Sequence, residues 1–187
     1  IRGLSLSPEA HPRTHGIDLL SAKPVLYAAN VGEGPPEASA IFVDAVRALA
    51  AREGAELVVF CAKLEAELAE LEPADRAAMR KELGLADSAL PQVIRRGYAL
   101  LRLITFFTAG PKETRAWTCQ SGTKAPQAAG IIHTDFEKGF IKAEVINWQT
   151  LLDASGYAPA RDKGLLRQEG KDYVIQDGDV VHFRFNV

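Results

Sequence analysis

The chain has 187 residues, of which 47% are hydrophobic and 25% charged, and its formal net charge at pH 7 is −2. This balance excludes binding to nucleic acid or an anionic membrane through overall charge, so any basic surface must be local. The two cysteines, Cys61 and Cys119, form no CxxC pattern, which argues against a disulfide framework and a cysteine metal site. No apolar stretch is long enough to cross a bilayer, and we expect a cytoplasmic protein without membrane partners.

The chain begins with Ile1, and its only methionine, Met79, falls inside a predicted helix. We therefore expect a fragment of a longer protein, with further motifs upstream of the first residue. Residues 1–22 mix polar residues with prolines and a glycine, which predicts a loop and a short connecting helix.

The first half of the chain predicts a strand–helix–strand unit. Residues 24–31 form an apolar run between prolines and glycines, which is typical of a strand buried on both faces. Residues 37–53 have helical spacing and end at Gly54, and residues 55–62 predict a second buried strand. The two strands should be parallel and joined by a right-handed crossover. Further helices are predicted at 64–71, 73–83 and 90–101.

The second half predicts a smaller domain of strands around short helices. Strands are expected at 103–108, 113–119 and 140–146, with a helix near 124–130. Residues 173–175 and 180–187 predict a closing hairpin-like pair around an Asp-Gly turn. The whole is an α+β roll in the order of a β-grasp, ubiquitin-like domain. The predicted domains are therefore 1–101 and 102–187.

The loop after the first strand reads Asn30-Val31-Gly32-Glu33. Ligands of open parallel sheets bind at the carboxyl ends of strands, and this loop lies at such an end. It resembles the base-recognition loop of GTPases, in which the Asn amide binds the purine and the carboxylate accepts from ring and exocyclic N–H groups. Glutamate in place of aspartate leaves guanine selectivity open. An ordinary turn would also explain a four-residue pattern.

A second loop, Cys61-Ala62-Lys63, follows the second strand and resembles the Ser-Ala-Lys loop of GTPases. Two such loops in the right order favour a nucleotide-base site over an ordinary turn. The chain contains no GxxxxGK[ST] phosphate loop. Phosphate and Mg²⁺ binding would therefore lie upstream, no catalytic residue is assigned, and this fragment alone is not expected to hydrolyse a nucleotide.

The remaining polar residues carry weaker signals. The four histidines, among them His11 and His15, show no ligand spacing, so no metal site is predicted. Asp177 and Asp179 flank a glycine and indicate a turn. The two tryptophans are interpreted as packing residues.

A basic stretch in the second half suggests contact with RNA or the ribosome. Aromatic residues alternate with cations there and would stack on bases while the cations meet phosphates. A solvated face diluted by acidic residues explains the same pattern equally well. The residues assigned to this contact are Lys138, Lys142, Arg167 and Lys171.

Several long stretches closely resemble the C-terminal part of the YchF family, the Obg-like ATPases. The similarity extends over nearly the whole chain from Ser21 onward. The stretches that carry it are 106–110, 115–118, 122–130, 132–140, 169–173 and 177–187.

This resemblance implies a fold and a function. The first half would be the C-terminal part of an α/β P-loop NTPase domain, and the second half a TGS domain of β-grasp fold. The family members are ribosome-associated nucleotide hydrolases that use ATP or GTP with Mg²⁺. By position, the base would be lined by Asn30, Val31 and Glu33, with Ala62 and Lys63 nearby. The alternative is a non-catalytic module that binds RNA or protein through the TGS surface.

Overall fold

A computed structural model of the chain describes residues 19–85, 88–111 and 113–186. The predictions for residues 1–18, including His11 and His15, lie outside the described residues. The chain divides into two units, with the boundary between Leu100 and Leu101.

The first unit contains a two-stranded parallel sheet with helices. Strands β1 and β2 pair in register from Leu26 opposite Glu56 to Asn30 opposite Phe60, which confirms the predicted parallel βαβ arrangement. The crossover helix ends at Gly54, whose φ of 63° is the left-handed conformation that glycine adopts without strain. The elements are a 3₁₀ turn at Leu20–Ala22, β1 (Leu26–Asn30), α1 (Pro36–Glu53), β2 (Glu56–Phe60), α2 (Ala62–Ala69), α3 (Pro73–Glu82) and α4 (Ala89–Leu100).

The prediction that both strands are buried on two faces is wrong for this structure. Of the residues in β1 and β2, only Val58 is buried. On the crossover helix, Ile41 and Phe42 are 74% and 72% exposed. The physical reason is that a sheet face is buried only where another element packs over it, and the helices that contact this sheet, α1 and α4, leave most of its side chains partly exposed.

The second unit is a five-stranded mixed sheet with four short helices among the described residues. The strand order is β4-β3-β7-β5-β6. Strands β3 and β7 are parallel, and the other neighbours are antiparallel. The elements are β3 (Leu103–Ala109), β4 (Thr114–Gln120), α5 (Ala125–Ile132), α6 (Thr134–Lys138), β5 (Phe140–Asn147), α7 (Trp148–Asp153), α8 (Tyr157–Asp162), β6 (Arg167–Glu169) and β7 (Asp179–Phe185).

This sheet has an apolar layer on each face. The main core lies on the α5 face and contains Phe106, Val145, Val181 and Phe183. A smaller cluster on the opposite face contains Ile146, Ala154, Ala160 and Val180, and it is formed with residues of α7 and α8. Alternate residues of β7 enter opposite clusters, as the twofold side-chain period of a strand requires.

The predicted closing hairpin is wrong. Val174 forms only an isolated bridge with Lys124, and β7 pairs with β5 and β3 instead. The reason is burial. Val180 and Val181 are 4% and 1% exposed on opposite faces, so this strand is stabilised at the centre of the sheet.

The turn before β7 is held by two aspartates, as the Asp-Gly-Asp pattern predicted. Asp177 Oδ1 accepts a hydrogen bond from the backbone N–H of Thr105 at 2.8 Å. The carboxylate of Asp179 is 2% exposed and accepts from the Tyr173 hydroxyl at 2.7 Å and from the Gln176 N–H at 2.9 Å. A buried carboxylate requires such donors, so this turn fixes the start of the central strand.

Replacing Tyr173 with Phe is expected to lower the free energy of unfolding by about 1–2 kcal/mol, because Asp179 loses one of its donors. Burial and the hydrogen bond to Asp179 raise the pKa of Tyr173 to about 12. The folded pKa is above the unfolded value of about 10, so the stabilisation is present below pH 10 and is lost between pH 10 and pH 12. Urea unfolding across this range measures both effects.

Tyr157 provides the matched control for this experiment. Its hydroxyl is buried and has no hydrogen-bond partner among the described residues. Tyr157→Phe should therefore leave the neutral-pH stability unchanged or slightly higher. Equal losses in the two variants would contradict the role assigned to the Tyr173 hydroxyl.

Candidate functional site

The candidate site lies where the two parallel strands of the first unit end. Asn30 and Phe60 are paired at the last register position of β1 and β2. The Val31 N–H then donates to the Phe60 carbonyl at 2.8 Å, so the two backbone segments remain hydrogen-bonded for one more residue. The two loops that follow therefore leave the sheet from the same edge, as the sequence predicted.

Asn30 joins the first loop to the second. Its Oδ1 accepts a hydrogen bond from the backbone N–H of Ala62 at 2.9 Å. Ala62 is the first residue of α2, and Cys61, the N-cap residue, makes no side-chain capping bond. The Asn30 oxygen thus satisfies an N–H that the helix leaves free. Within the part of the chain that the structure describes, the Asn30 Nδ2 donors remain available to a ligand.

Glu33 and Lys63 form a second link between the loops. Lys63 Nζ lies 2.7 Å from Glu33 Oε2 and 3.7 Å from Glu67 Oε1. The hydrogen bond and the charge of Glu33 raise the pKa of Lys63, so the ammonium stays protonated. Both side chains are substantially exposed, at 67% for Lys63 and 42% for Glu33. Such a pair adds little to stability, but it presents a donor and an acceptor side by side.

A cleft of about 300 Å³ is lined by both loops. Of the five predicted base-site residues, Asn30, Val31, Glu33 and Lys63 line it, and Ala62 contributes its N–H to Asn30. A larger cavity of about 470 Å³ extends from Asn30 along α1. The volumes are those of small-molecule sites.

The structure contains no cluster of three or more metal-ligating side chains within residues 19–85, 88–111 and 113–186. Over the same residues, no helix combines the length and the apolar character needed to cross a membrane.

The four residues predicted to contact RNA do not form one surface. Lys142 in β5 lies opposite Arg184, on the sheet face away from the main core, and donates to Gln168 at 2.9 Å. Arg167 in β6 lies opposite the buried Val145, on the core face. Lys138 ends α6, and Lys171 lies in the turn after β6.

The aromatic residues near these cations are mostly committed to packing. Phe140 is 5% exposed in the main core. Phe136 stacks on Phe185 with 3.8 Å between ring centroids, and Tyr157 packs against the smaller cluster. Trp148 is the exception at 45% exposed. Base stacking by the first three rings would require the core to open.

Comparison with known proteins identifies relatives that align with the whole of this chain and a family model that matches its second unit. The family model YchF-GTPase_C, described as a protein of unknown function (DUF933), matches residues 103–186. The "Ribosome-binding ATPase YchF" of Bacillus subtilis is 48% identical over 189 residues, covering 100% of this chain and 51% of the relative. Its Haemophilus influenzae counterpart is 49% identical over 187 residues, with 100% and 51% covered. The chain therefore spans about half the length of the curated relatives it matches.

Solved structures are similar in the same way. The Schizosaccharomyces pombe YchF GTPase superposes with a TM-score of 0.84 at 33% identity, covering 98% of this chain and 49% of that one. A GTP-binding protein from Pyrococcus horikoshii has a TM-score of 0.61 at 24% identity, with 88% and 46% covered, and shows a shared fold. The family model on the second unit, the alignments over the whole of this chain and the superposed structure agree, and the chain belongs to the YchF family.

Proposed function

We propose that this chain is part of a ribosome-associated nucleotide hydrolase. Residues 1–101 form the C-terminal part of a P-loop NTPase domain and hold the base of ATP or GTP. Residues 102–187 form a TGS domain of β-grasp fold that contacts the ribosome. A protein that associates with ribosomes would act in the cytoplasm, and we assign it there.

The base site carries this proposal through one observation. Asn30 binds the first N–H of α2 through its oxygen, and this contact leaves its amide nitrogen directed to other acceptors. A purine presents such an acceptor at N7. The relatives named ATPase and the structure named GTPase support a nucleotide as the ligand.

The residues of the cleft suit a purine better than a phosphate. Asn30 would donate to a ring nitrogen, while Glu33 and Lys63 would meet the exocyclic and ring groups at the opposite edge. The proposed reaction is hydrolysis of a phosphoanhydride bond in the bound nucleotide. The 187 residues contain no GxxxxGK[ST] motif, so phosphates and Mg²⁺ would be held by residues outside this chain.

The exposed apolar groups of the first unit fit the same proposal. Edge strand β1 and the exposed Ile41 and Phe42 of α1 are expected to pack against the rest of the NTPase domain. In the second unit, the mixed sheet with α5 across its main face agrees with a β-grasp fold. The names of the bacterial relatives support the ribosome as its partner.

Nucleotide affinity of the complete protein tests the base site. Asn30→Ala is expected to weaken ATP and GTP binding about tenfold, which corresponds to one lost hydrogen bond of about 1.4 kcal/mol. Titration calorimetry with each nucleotide and Mg²⁺ measures the change. Unchanged affinity for both nucleotides would exclude Asn30 from the base site.

Two variants separate binding from helix capping. Asn30→Asp keeps an oxygen for the Ala62 N–H but removes the amide donor, so it should also lose affinity. Asn147→Ala is the matched control, because Asn147 Oδ1 accepts from the Gln149 N–H at 2.9 Å and caps α7 in the second unit. It removes a comparable cap and should leave nucleotide affinity unchanged.

A further inference from the structure

The face of the second-unit sheet that is opposite the main core is apolar at one end and polar at the other. Ile146 and Val180, paired across β5 and β7, pack under α7 and α8. Further along the same two strands, Glu144 faces His182 and Lys142 faces Arg184. These four side chains are polar, and α8 reaches them through Arg161, whose Nη2 lies 3.8 Å from Glu144 Oε2.

Two arginines pair with one carboxylate at the polar end of this face. Arg184 Nη2 and Arg161 Nη2 lie 3.4 Å and 3.8 Å from Glu144 Oε2. The Glu144 side chain is only 16% exposed, whereas Arg184 and Arg161 are 47% and 64% exposed. Glu144 is therefore much less exposed than the two guanidinium groups, which stay accessible to a phosphate while they pair with Glu144.

Lys142 adds a third positive charge that its neighbour does not cancel. Its Nζ donates to Gln168 Oε1 at 2.9 Å, and Gln168 is a neutral acceptor on the adjacent strand. Among the described ion pairs, Glu144 is the one carboxylate that pairs with these three cations, so the group keeps an excess of two positive charges. We name Lys142, Arg161 and Arg184 the basic sheet end.

His182 lies in the same positively charged environment. Burial lowers the pKa of its imidazole, and the charges of Arg184 and Arg161 lower it further against the opposing effect of Glu144. The imidazole is therefore neutral at pH 7 and does not add charge. It leaves the guanidinium and ammonium groups as the recognition elements.

We propose that the basic sheet end binds the sugar-phosphate backbone of a folded RNA helix. This inference rests on the proposed association with ribosomes and names the surface of the second unit that would make the contact. Guanidinium groups bind phosphate oxygens through paired N–H donors, and Arg184 and Arg161 present such groups on a regular strand and helix. Tyr157 packs in the smaller cluster, and the exposed Trp148 follows the Asn147 end of β5, away from Lys142. Among the described residues, the basic sheet end therefore offers cations for phosphate rather than a ring for stacking on single-stranded bases.

Binding of a fluorescent RNA duplex of about 16 base pairs, the length a small domain spans, tests this surface in the 187-residue chain. Fluorescence anisotropy is measured across a salt series. The double variant Arg161→Gln/Arg184→Gln is expected to bind about tenfold more weakly at about 50 mM salt, and the slope of log affinity against log salt should fall by about two. Thermal unfolding checks that both exposed substitutions leave the fold intact.

The matched control is Arg115→Gln/Lys124→Gln, which removes the same charge from exposed residues elsewhere in the second unit. It should change the affinity less than twofold. Equal losses in the two double variants, or a loss in the control alone, would overturn the assignment to the basic sheet end. Glu144→Gln gives a test of opposite sign, because it removes the negative charge that is paired with both arginines and should tighten binding. Unchanged or weaker binding in Glu144→Gln contradicts the inference.

Co-sedimentation of the complete protein with ribosomes separates this inference from the proposed function. Loss of both duplex and ribosome binding in the arginine variant supports an RNA contact at this surface. Loss of ribosome binding alone indicates a ribosomal protein as the partner and overturns the RNA inference while the ribosome association stands. If the unsubstituted protein does not co-sediment in any nucleotide state, the ribosome association itself fails.

Discussion

Replacing Lys63 with Ala in the complete protein is expected to shift the ratio of ATP to GTP affinity towards GTP by about 100-fold. Lys63 and Glu33 lie 2.7 Å apart at the cleft and offer one donor and one acceptor. Adenine presents an acceptor at N1 and a donor at N6, which matches this pair. Guanine presents N–H donors at N1 and N2, which match a carboxylate alone.

The reason for so large a shift is that the substitution acts on both nucleotides in opposite directions. Without the ammonium group, the Glu33 carboxylate faces the adenine N1 lone pair and repels it. The same carboxylate then accepts from two guanine donors without competition from Lys63. Sites that hydrogen-bond a ligand reject analogues with the wrong donor pattern more strongly than apolar sites do.

Competition binding with ATP and GTP measures the ratio directly. Glu67→Gln is the control, because Glu67 is the weaker partner of Lys63 at 3.7 Å and lies outside the residues that line the cleft. It should leave the ratio unchanged. Since the Glu33–Lys63 pair is exposed, the Lys63 variant should unfold at nearly the wild-type temperature. If the ratio of ATP to GTP affinity in Lys63→Ala equals that of the wild type, groups other than Lys63 determine the base preference.

The sequence predicts well that the loops after β1 and β2 meet, because its signals there are local. Apolar runs identify β1 and β2, and the left-handed Gly54 ends the helix between them. Parallel pairing then brings the ends of the strands together without further information. What the sequence does not predict is the specific bond between the loops, in which the Asn30 oxygen serves the Ala62 N–H.

The second unit shows where local patterns are insufficient. Strand β6 has only three residues, Arg167–Glu169, and its formation depends on pairing with β5. The position of β7 between β3 and β5 depends equally on contacts distant in sequence. The local pattern of basic residues therefore groups Lys142 with Arg167, although the register places them on opposite faces. The alternation of His182 and Arg184 in the last strand is the signal in the sequence that indicates the basic sheet end.

Glu65→Ala is expected to reduce the free energy of unfolding by about 3 kcal/mol. Glu65 Oε2 accepts from Arg80 Nη2 at 2.6 Å and from Ser88 Oγ at 2.8 Å, and Oε1 accepts from the Ala89 N–H at 3.1 Å. One carboxylate thereby connects α2 with α3 and with the start of α4. Its loss leaves the 14%-exposed Arg80 side chain without this counter-ion and removes a bond to the first N–H of α4.

The pH dependence of this loss has a definite sign. Burial alone raises the pKa of Glu65, but the hydrogen bonds from Arg80, Ala89 and Ser88 outweigh it, and the net pKa is lowered. The folded pKa is below the unfolded value of about 4.3, so the stabilisation is present above that value and is lost as the pH falls through the folded pKa. Wild type and Glu65→Ala should therefore differ fully at pH 7 and converge in acid.

Urea unfolding of the 187-residue chain at neutral and acidic pH measures this difference. Glu65→Ala/Arg80→Met tests the cause, because a buried pair replaced by apolar groups often regains stability that a single deletion loses. The double variant should be more stable than Glu65→Ala. If it is less stable, the cost arises from lost packing of the Arg80 side chain and the bond to Ala89, and the unpaired guanidinium is not responsible.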